Sequence, residues 1–199
     1  MTRATLALVL LATAFASAAP VPKAKNATPY PMTVGTRWEY IHDGDPKKVQ
    51  VEEIVEAEEK DGVITFKVDI TDPTGEKRFE KYRWKDGELR LVQSSYGEHD
   101  PPTLIRKDVM KDGDVWESEG KFKSQGVEID TKETLTVGKA EEITTPAGKF
   151  TATPIAHKQD GLVSVYWFAD GVGMVRQTYD GAKEPAQELK SFTLGKDKK

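Results

Sequence analysis

Ile64, Phe66, Val68 and Ile70 alternate with Thr65, Lys67 and Asp69, which makes one side of an extended segment apolar and the other polar. The same period of two returns at Val127, Ile129 and Thr131 and again at Leu135 and Val137. Successive side chains of a strand point to opposite faces, so these runs predict half-buried strands. Asp-Gly pairs punctuate them at 43–44, 61–62, 86–87, 112–113, 160–161, 170–171 and 180–181. Glycine adopts positive φ at no steric cost and aspartate tolerates it, the requirement of the type I′ turn that joins twisted strands. Beyond the N-terminal segment no stretch carries a sustained 3.6-residue apolar stripe, and the best helical candidate, Pro102 to Met110, is short. An antiparallel meander with at most one or two helical turns is expected.

The pattern repeats on a longer scale. Met32, Gly35, Trp38 and Glu39 recur at the same spacing as Met110, Gly113, Trp116 and Glu117, an offset of 78 residues. Ala57-Glu58-Glu59 matches Ala140-Glu141-Glu142, and the segment from Tyr82 to Gly87 resembles that from Tyr166 to Gly171, with offsets of 83 and 84. Their common order predicts two copies of a module of about five strands, over about 32–96 and 110–194. About ten strands is the size at which a twisted open sheet curls or closes. The sequence therefore predicts an all-β fold, a duplicated antiparallel meander of about ten strands forming a curved half-barrel or barrel with little helix. Trp38 and Trp116 are expected to be core wedges.

The first residues change the picture of where this domain works. Arg3, the apolar run Leu6 to Phe15 and the small residues Ala16-Ser17-Ala18 form a secretory signal over residues 1–18. The apolar run is too short to span a bilayer, so cleavage after Ala18 is expected and no integral membrane segment remains. The chain has no cysteine, hence no lipid-accepting thiol, disulfide or thiolate metal site. Export to the periplasm or beyond without lipidation follows. Residues 19–31, with Pro20, Pro22, Pro29 and Pro31, read as a flexible lead, residues 32–195 as a single β domain, and residues 196–199 as a solvated basic tail.

Charge and chemistry then exclude several functions. The 33 acidic and 29 basic residues are well mixed, which excludes nucleic acid as a main partner because phosphate binding needs a concentrated basic surface. His42, His99 and His157 stand at no metal-ligand spacing, and neither a Gly-x-Ser-x-Gly elbow nor a thiol nucleophile is present. No metal, no cofactor and no catalytic residue is expected. Asp43-Gly44-Asp45 and Asp112-Gly113-Asp114 lack the six-ligand spacing of a calcium loop and read as turns. Glu52-Glu53, Glu56, Glu58-Glu59 and Glu141-Glu142 read as charged strand faces or edges.

The feature that points to binding is aromatic. Leu162 to Phe168 is apolar on both faces, and Phe79, Tyr82 and Trp84 lie in the corresponding strand of the first module. A strand needs one apolar face for a one-sided core, so the other face needs cover from a loop, a partner or a ligand. Tyr82, Trp84, Tyr166, Trp167 and Phe168 are the candidate ligand-binding residues.

Four further motifs, Tyr30 to Tyr40, Thr144 to Phe150, Tyr166 to Arg176 and Glu188 to Phe192, run in an order that resembles an uncharacterised family of exported bacterial all-β proteins. The resemblance covers nearly the whole mature chain. At the fold level it implies similarity to the half-barrels of LolA- and LolB-type lipoprotein carriers, and hence a concave apolar face, although this chain lacks clear helices to plug such a half-barrel. The expected function is non-catalytic binding of an apolar or lipid-like molecule on that face. The alternative is an interaction protein docking an envelope protein through a sheet edge or the aromatic face, and a hydrolase without a recognisable motif comes third.

Overall fold

The computed structural model describes residues 29–180, 182 and 184–196; the signal segment, most of the lead, Gly181 of the 180–181 pair, Lys183 and the end of the basic tail lie outside the described residues. Thirteen strands follow in chain order: β1 (Arg37–His42), β2 (Asp45–Lys60), β3 (Val63–Thr71), β4 (Lys77–Lys85), β5 (Glu88–Ser94), β6 (Gly97–Lys107), β7 (Val115–Ser124), β8 (Val127–Val137), β9 (Glu141–Thr145), β10 (Gly148–Gln159), β11 (Leu162–Ala169), β12 (Gly173–Tyr179) and β13 (Gln187–Thr193). All pairings are antiparallel. β13 pairs with β1 and β10 bridges β8 to β11, so twelve strands close on themselves and β9 lies outside the ring against β10.

Closure settles the choice between half-barrel and barrel in favour of the barrel. It removes the unpaired edges that an open sheet of this size would present. Each half of the chain supplies six barrel strands, β1–β6 and then β7, β8 and β10–β13. The aromatic pair Tyr82 and Trp84 sits on the fourth strand of the first half, and Tyr166 and Phe168 on the fourth of the second.

Turn chemistry accounts for much of the meander. Both residues of Asp43-Gly44, Asp61-Gly62, Asp86-Gly87 and Asp160-Gly161 have positive φ, and each pair joins neighbouring strands. Gln125-Gly126 makes the same turn between β7 and β8 without the aspartate. At Asp112-Gly113 and Asp170-Gly171 only the glycine is left-handed, and both lie in longer connections.

Two expectations change. Pro102 to Lys107 is extended, not helical: these residues belong to β6, where pairing with β5 satisfies the backbone and Leu104 and Arg106 are buried. Residues 29–31 are not a flexible lead. They are buried, and the ring of Tyr30 packs 5.8 Å from Trp38 and 5.9 Å from Phe66 at one end of the barrel. This segment plugs that end of the barrel, where among the described residues no helix does so.

Cross-strand register assigns the faces. Trp38, Glu52, Ile70 and Arg78 are successive partners around β1–β4 and point inward, as do Ile54, Val68 and Glu80. Arg37, Glu53 and Asp69 form the matching outward row, with Lys67, Lys81 and Arg83 beside it. Outward ion pairs include Arg37–Glu53 at 3.4 Å and Lys67–Asp69 at 2.8 Å. These outward positions carry charge around Phe79, the partner of Asp69, whose ring lies 5.4 Å from Lys67 Nζ and 5.8 Å from Lys81 Nζ.

One seam of the ring is weak. β12 and β13 share two register pairs, Arg176 with Glu188 and Gln177 with Gln187. The tip of the β9–β10 hairpin fills the gap: Ala147 N–H donates to the Leu189 carbonyl at 3.1 Å, and the Arg176 guanidinium reaches the Thr144 carbonyl at 3.0 Å and Glu188 at 2.6 Å. The Thr144 to Phe150 motif thus caps backbone groups that the barrel leaves unpaired.

Candidate functional site

The barrel interior is a packed floor beneath an open cavity. At the floor, Trp38, Tyr30, Phe66 and Tyr82 form a chain of ring contacts, the last at 5.3 Å between Phe66 and Tyr82. Arg106 pins this end. Its side chain is fully buried, donates to the Pro29 carbonyl at 3.3 Å, pairs with Asp170 at 3.1 Å and lies 5.5 Å from the centre of the Phe168 ring. Above the floor opens a cavity of about 450 Å³, within the range of small-molecule sites.

Its lower wall is apolar, with Leu89, Leu104, Leu135, Ile155, Phe168 and Met174. Towards the mouth the wall becomes polar, and the register explains why. Inward positions near the upper ends of β2 and β4 carry Gln50, Glu52, Arg78 and Glu80 in place of aliphatic residues. These side chains form one network. Gln50 donates to Glu52 at 2.7 Å and accepts from Arg78 at 3.1 Å, Arg78 donates to Glu80 at 3.5 Å, and the Tyr82 hydroxyl donates to the other Glu80 oxygen. Across the lumen, Glu133 Oε2 and His157 Nε2 stand 3.0 Å apart on the paired strands β8 and β10. Their contact lacks the angles of a hydrogen bond, so both buried atoms are without a hydrogen-bond partner. His99 Nδ1 meets the Thr103 hydroxyl at 3.0 Å.

Enclosure shifts the ionisable groups in a consistent direction. Burial, reinforced by the neighbouring charge of Glu80, pushes the Glu52 carboxyl up to about 7, against the opposing effects of Gln50 and Arg78. Burial lowers the pKa of His42 and His99, favouring neutral imidazoles. It raises those of Tyr40, Tyr82 and Tyr166, which keep their protons.

Three of the five residues singled out from sequence, Tyr82, Tyr166 and Phe168, line this cavity. Trp84 shares their inward face but is buried in the core below. Trp167 points outward, where it is partly buried and its indole donates to Glu141 of β9 at 2.7 Å. Both faces of β11 are therefore used, one for the lumen and one against β9. Sequence reasoning missed the polar members, above all Glu52, Glu80 and Glu133. Glu52 stood in a run read as a charged outer face, and a β-bulge between Ile54 and Glu56 shifts the register in the same strand. Among the described residues no group of His, Asp or Glu is arranged to hold a metal ion.

Fold and site together define a closed antiparallel β-barrel with an internal, mouth-polar cavity. Two solved bacterial structures share the fold. One is a "putative lipoprotein" from Parabacteroides distasonis ATCC 8503, with 17% identity and a TM-score of 0.55 over 85% of this chain and 100% of that one. The other is a "putative exported protein" with a YmcC-like fold from Bacteroides fragilis NCTC 9343, with 18% identity and a TM-score of 0.56 over 84% of this chain and 100% of that one. No family model matches the chain. No curated protein matches it either.

Proposed function

We propose that this is an exported, non-catalytic binding protein whose barrel lumen holds a small amphipathic molecule. The observation that carries the reading is the division of one cavity of about 450 Å³ into an apolar lower wall and a hydrogen-bonding mouth. A purely apolar ligand would leave the carboxylates and amides at the mouth unpaired, and a purely polar one would waste the burial offered by the lower wall. The signal-like N-terminus and the exported and lipoprotein descriptions of the two structural relatives support the location. Native mass spectrometry of the purified full-length protein tests the reading. Mass retained after gentle desolvation and lost after extraction with organic solvent is expected, together with saturable uptake of a fluorescent amphiphile. A lumen that takes up neither would overturn it.

The rim supports a second reading, docking onto an envelope protein. Tyr96, in the β5–β6 turn, and Leu162, at the start of β11, lie at the mouth end and are each more than half exposed. Loss of a pulled-down partner on substitution of Tyr96 and Leu162, with amphiphile uptake unchanged, would favour that role.

A further inference from the structure

We propose that the mouth of the lumen is a cation site, and that the ligand class is the amphipathic amines and quaternary ammonium compounds. The inference rests on the lumen being a ligand site and adds which headgroup it accepts. Three carboxylates, Glu52, Glu80 and Glu133, line the cavity. Arg78 is the guanidinium among them, and it is already engaged by Glu80 and Gln50. Even with a proton on His157 beside Glu133, three acids face two cations. An anionic headgroup would meet this excess with no unengaged guanidinium to receive it, whereas a cationic one relieves the repulsion between Glu52 and Glu80.

A second observation is independent of charge counting. Glu133 is 4% exposed and lines the cavity, and its Oε2 accepts no hydrogen bond, its contact with His157 Nε2 at 3.0 Å being misaligned. An ammonium group carries three donors and no acceptor, which is the complement such an oxygen lacks. The aromatic wall fits the same chemistry. Tyr40, Tyr82 and Tyr166 line the cavity, and aromatic rings attract cations, including a methylated one that cannot donate hydrogen bonds. The charges of Glu80 and Glu133 both act on His99 and on Tyr166, which places the two acids around a common space.

Titration of the full-length protein with decyltrimethylammonium, decanol and decanoate, each below its micelle concentration, separates the possibilities. These probes share a chain and differ in the charge of the head, and the quaternary head does not titrate. At pH 8 the cation is expected to bind at least about tenfold more tightly than the other two. That preference should shrink at pH 6, where Glu52 takes up a proton in the company of Tyr30, Tyr40, Arg78 and Glu80. Glu52→Gln should reduce the pH dependence, leaving what His99 and His157 in the same lining contribute, while keeping decanol affinity, which reports an intact lumen. Glu133→Gln should weaken cation binding at both pH values. Decanol or decanoate binding as tightly as the cation would overturn the headgroup assignment and leave the lumen reading standing. Failure of all three to bind would overturn both.

Discussion

The indole N–H of Trp38 donates to the backbone carbonyl of Val172 at 2.6 Å, across 134 residues of sequence. The bond joins the Gly-x-x-Trp element at the start of β1 to the Gly-Val-Gly corner before β12. Tyr40 repeats the link one step higher, its hydroxyl donating to the Met174 carbonyl at 3.1 Å. Trp38→Phe keeps an aromatic ring but orphans a buried carbonyl and leaves a void. It is expected to cost about 2–3 kcal/mol in urea unfolding. A loss below about 0.5 kcal/mol would mean that the bond does not anchor the two elements.

Gly173 lies against the same tryptophan. Its φ is +98°, and an added Cβ would come 3.1 Å from the Tyr30 ring. Gly161, at φ +81°, has nothing within 4 Å of such a carbon. Both alanine variants pay for left-handed backbone, so Gly173→Ala should lower Tm further than Gly161→Ala by the cost of the clash. Equal shifts would show that the Tyr30 plug moves aside freely.

Arg106 and Asp170 make an asymmetric pair, since the guanidinium is fully buried and the carboxylate is 81% exposed. Removing the exposed partner strands a buried charge. Asp170→Ala is expected to cost about 2–3 kcal/mol by denaturant unfolding, far more than an ordinary surface change, at or below the lower end of what unpairing buried charges costs. A surface-like effect within about 0.5 kcal/mol would show that the carbonyls of Pro29 and Lys107, each accepting from the guanidinium at 3.3 Å, suffice for Arg106.

Glu52 sets a pH dependence whose sign follows from burial. A carboxyl raised from 4.5 to about 7 in the folded protein binds more protons there than in the unfolded chain between those values. Its penalty is therefore absent below about pH 4.5, grows as pH rises towards 7, and is full above. Glu52→Gln should match the wild-type protein near pH 4.5 and exceed its stability at pH 8 by about 1–3 kcal/mol, the carboxylate still facing cavity water. Superimposable unfolding curves at both pH values would remove Glu52 as a buried acid.

Neighbours on β11 should respond to different degrees. Phe168→Ala empties space beside the lower wall and Arg106, and is expected to cost about 3–4 kcal/mol. Trp167→Ala removes a partly buried outer ring and its bond to Glu141, and should cost about 1 kcal/mol while leaving amphiphile uptake unchanged. A change in uptake on replacing Trp167 would place its ring in the ligand path.

The sequence by itself determined the fold class, because its signals are local. Period-two alternation in β3 and Asp-Gly pairs with positive φ at 43–44, 61–62, 86–87 and 160–161 need no distant partner to be read. It also singled out Tyr82, Tyr166 and Phe168 together with Trp84 and Trp167, since a cluster of aromatic residues on a strand is visible in one dimension although the face each one takes is not. Closure was decided by tertiary structure, through the pairing of β13 with β1 and of β10 with both β8 and β11. So were the burial of Tyr30 and the extension of Pro102 to Lys107, because both depend on what the rest of the chain places against them. The cavity's polar mouth belongs with these. Glu52 and Glu53 are adjacent and chemically alike in sequence, yet they point to opposite faces of β2, one into the lumen and one towards Arg37 on the outside. A strand's side-chain period makes neighbouring residues diverge, and only the register of a closed barrel says which of them is inside.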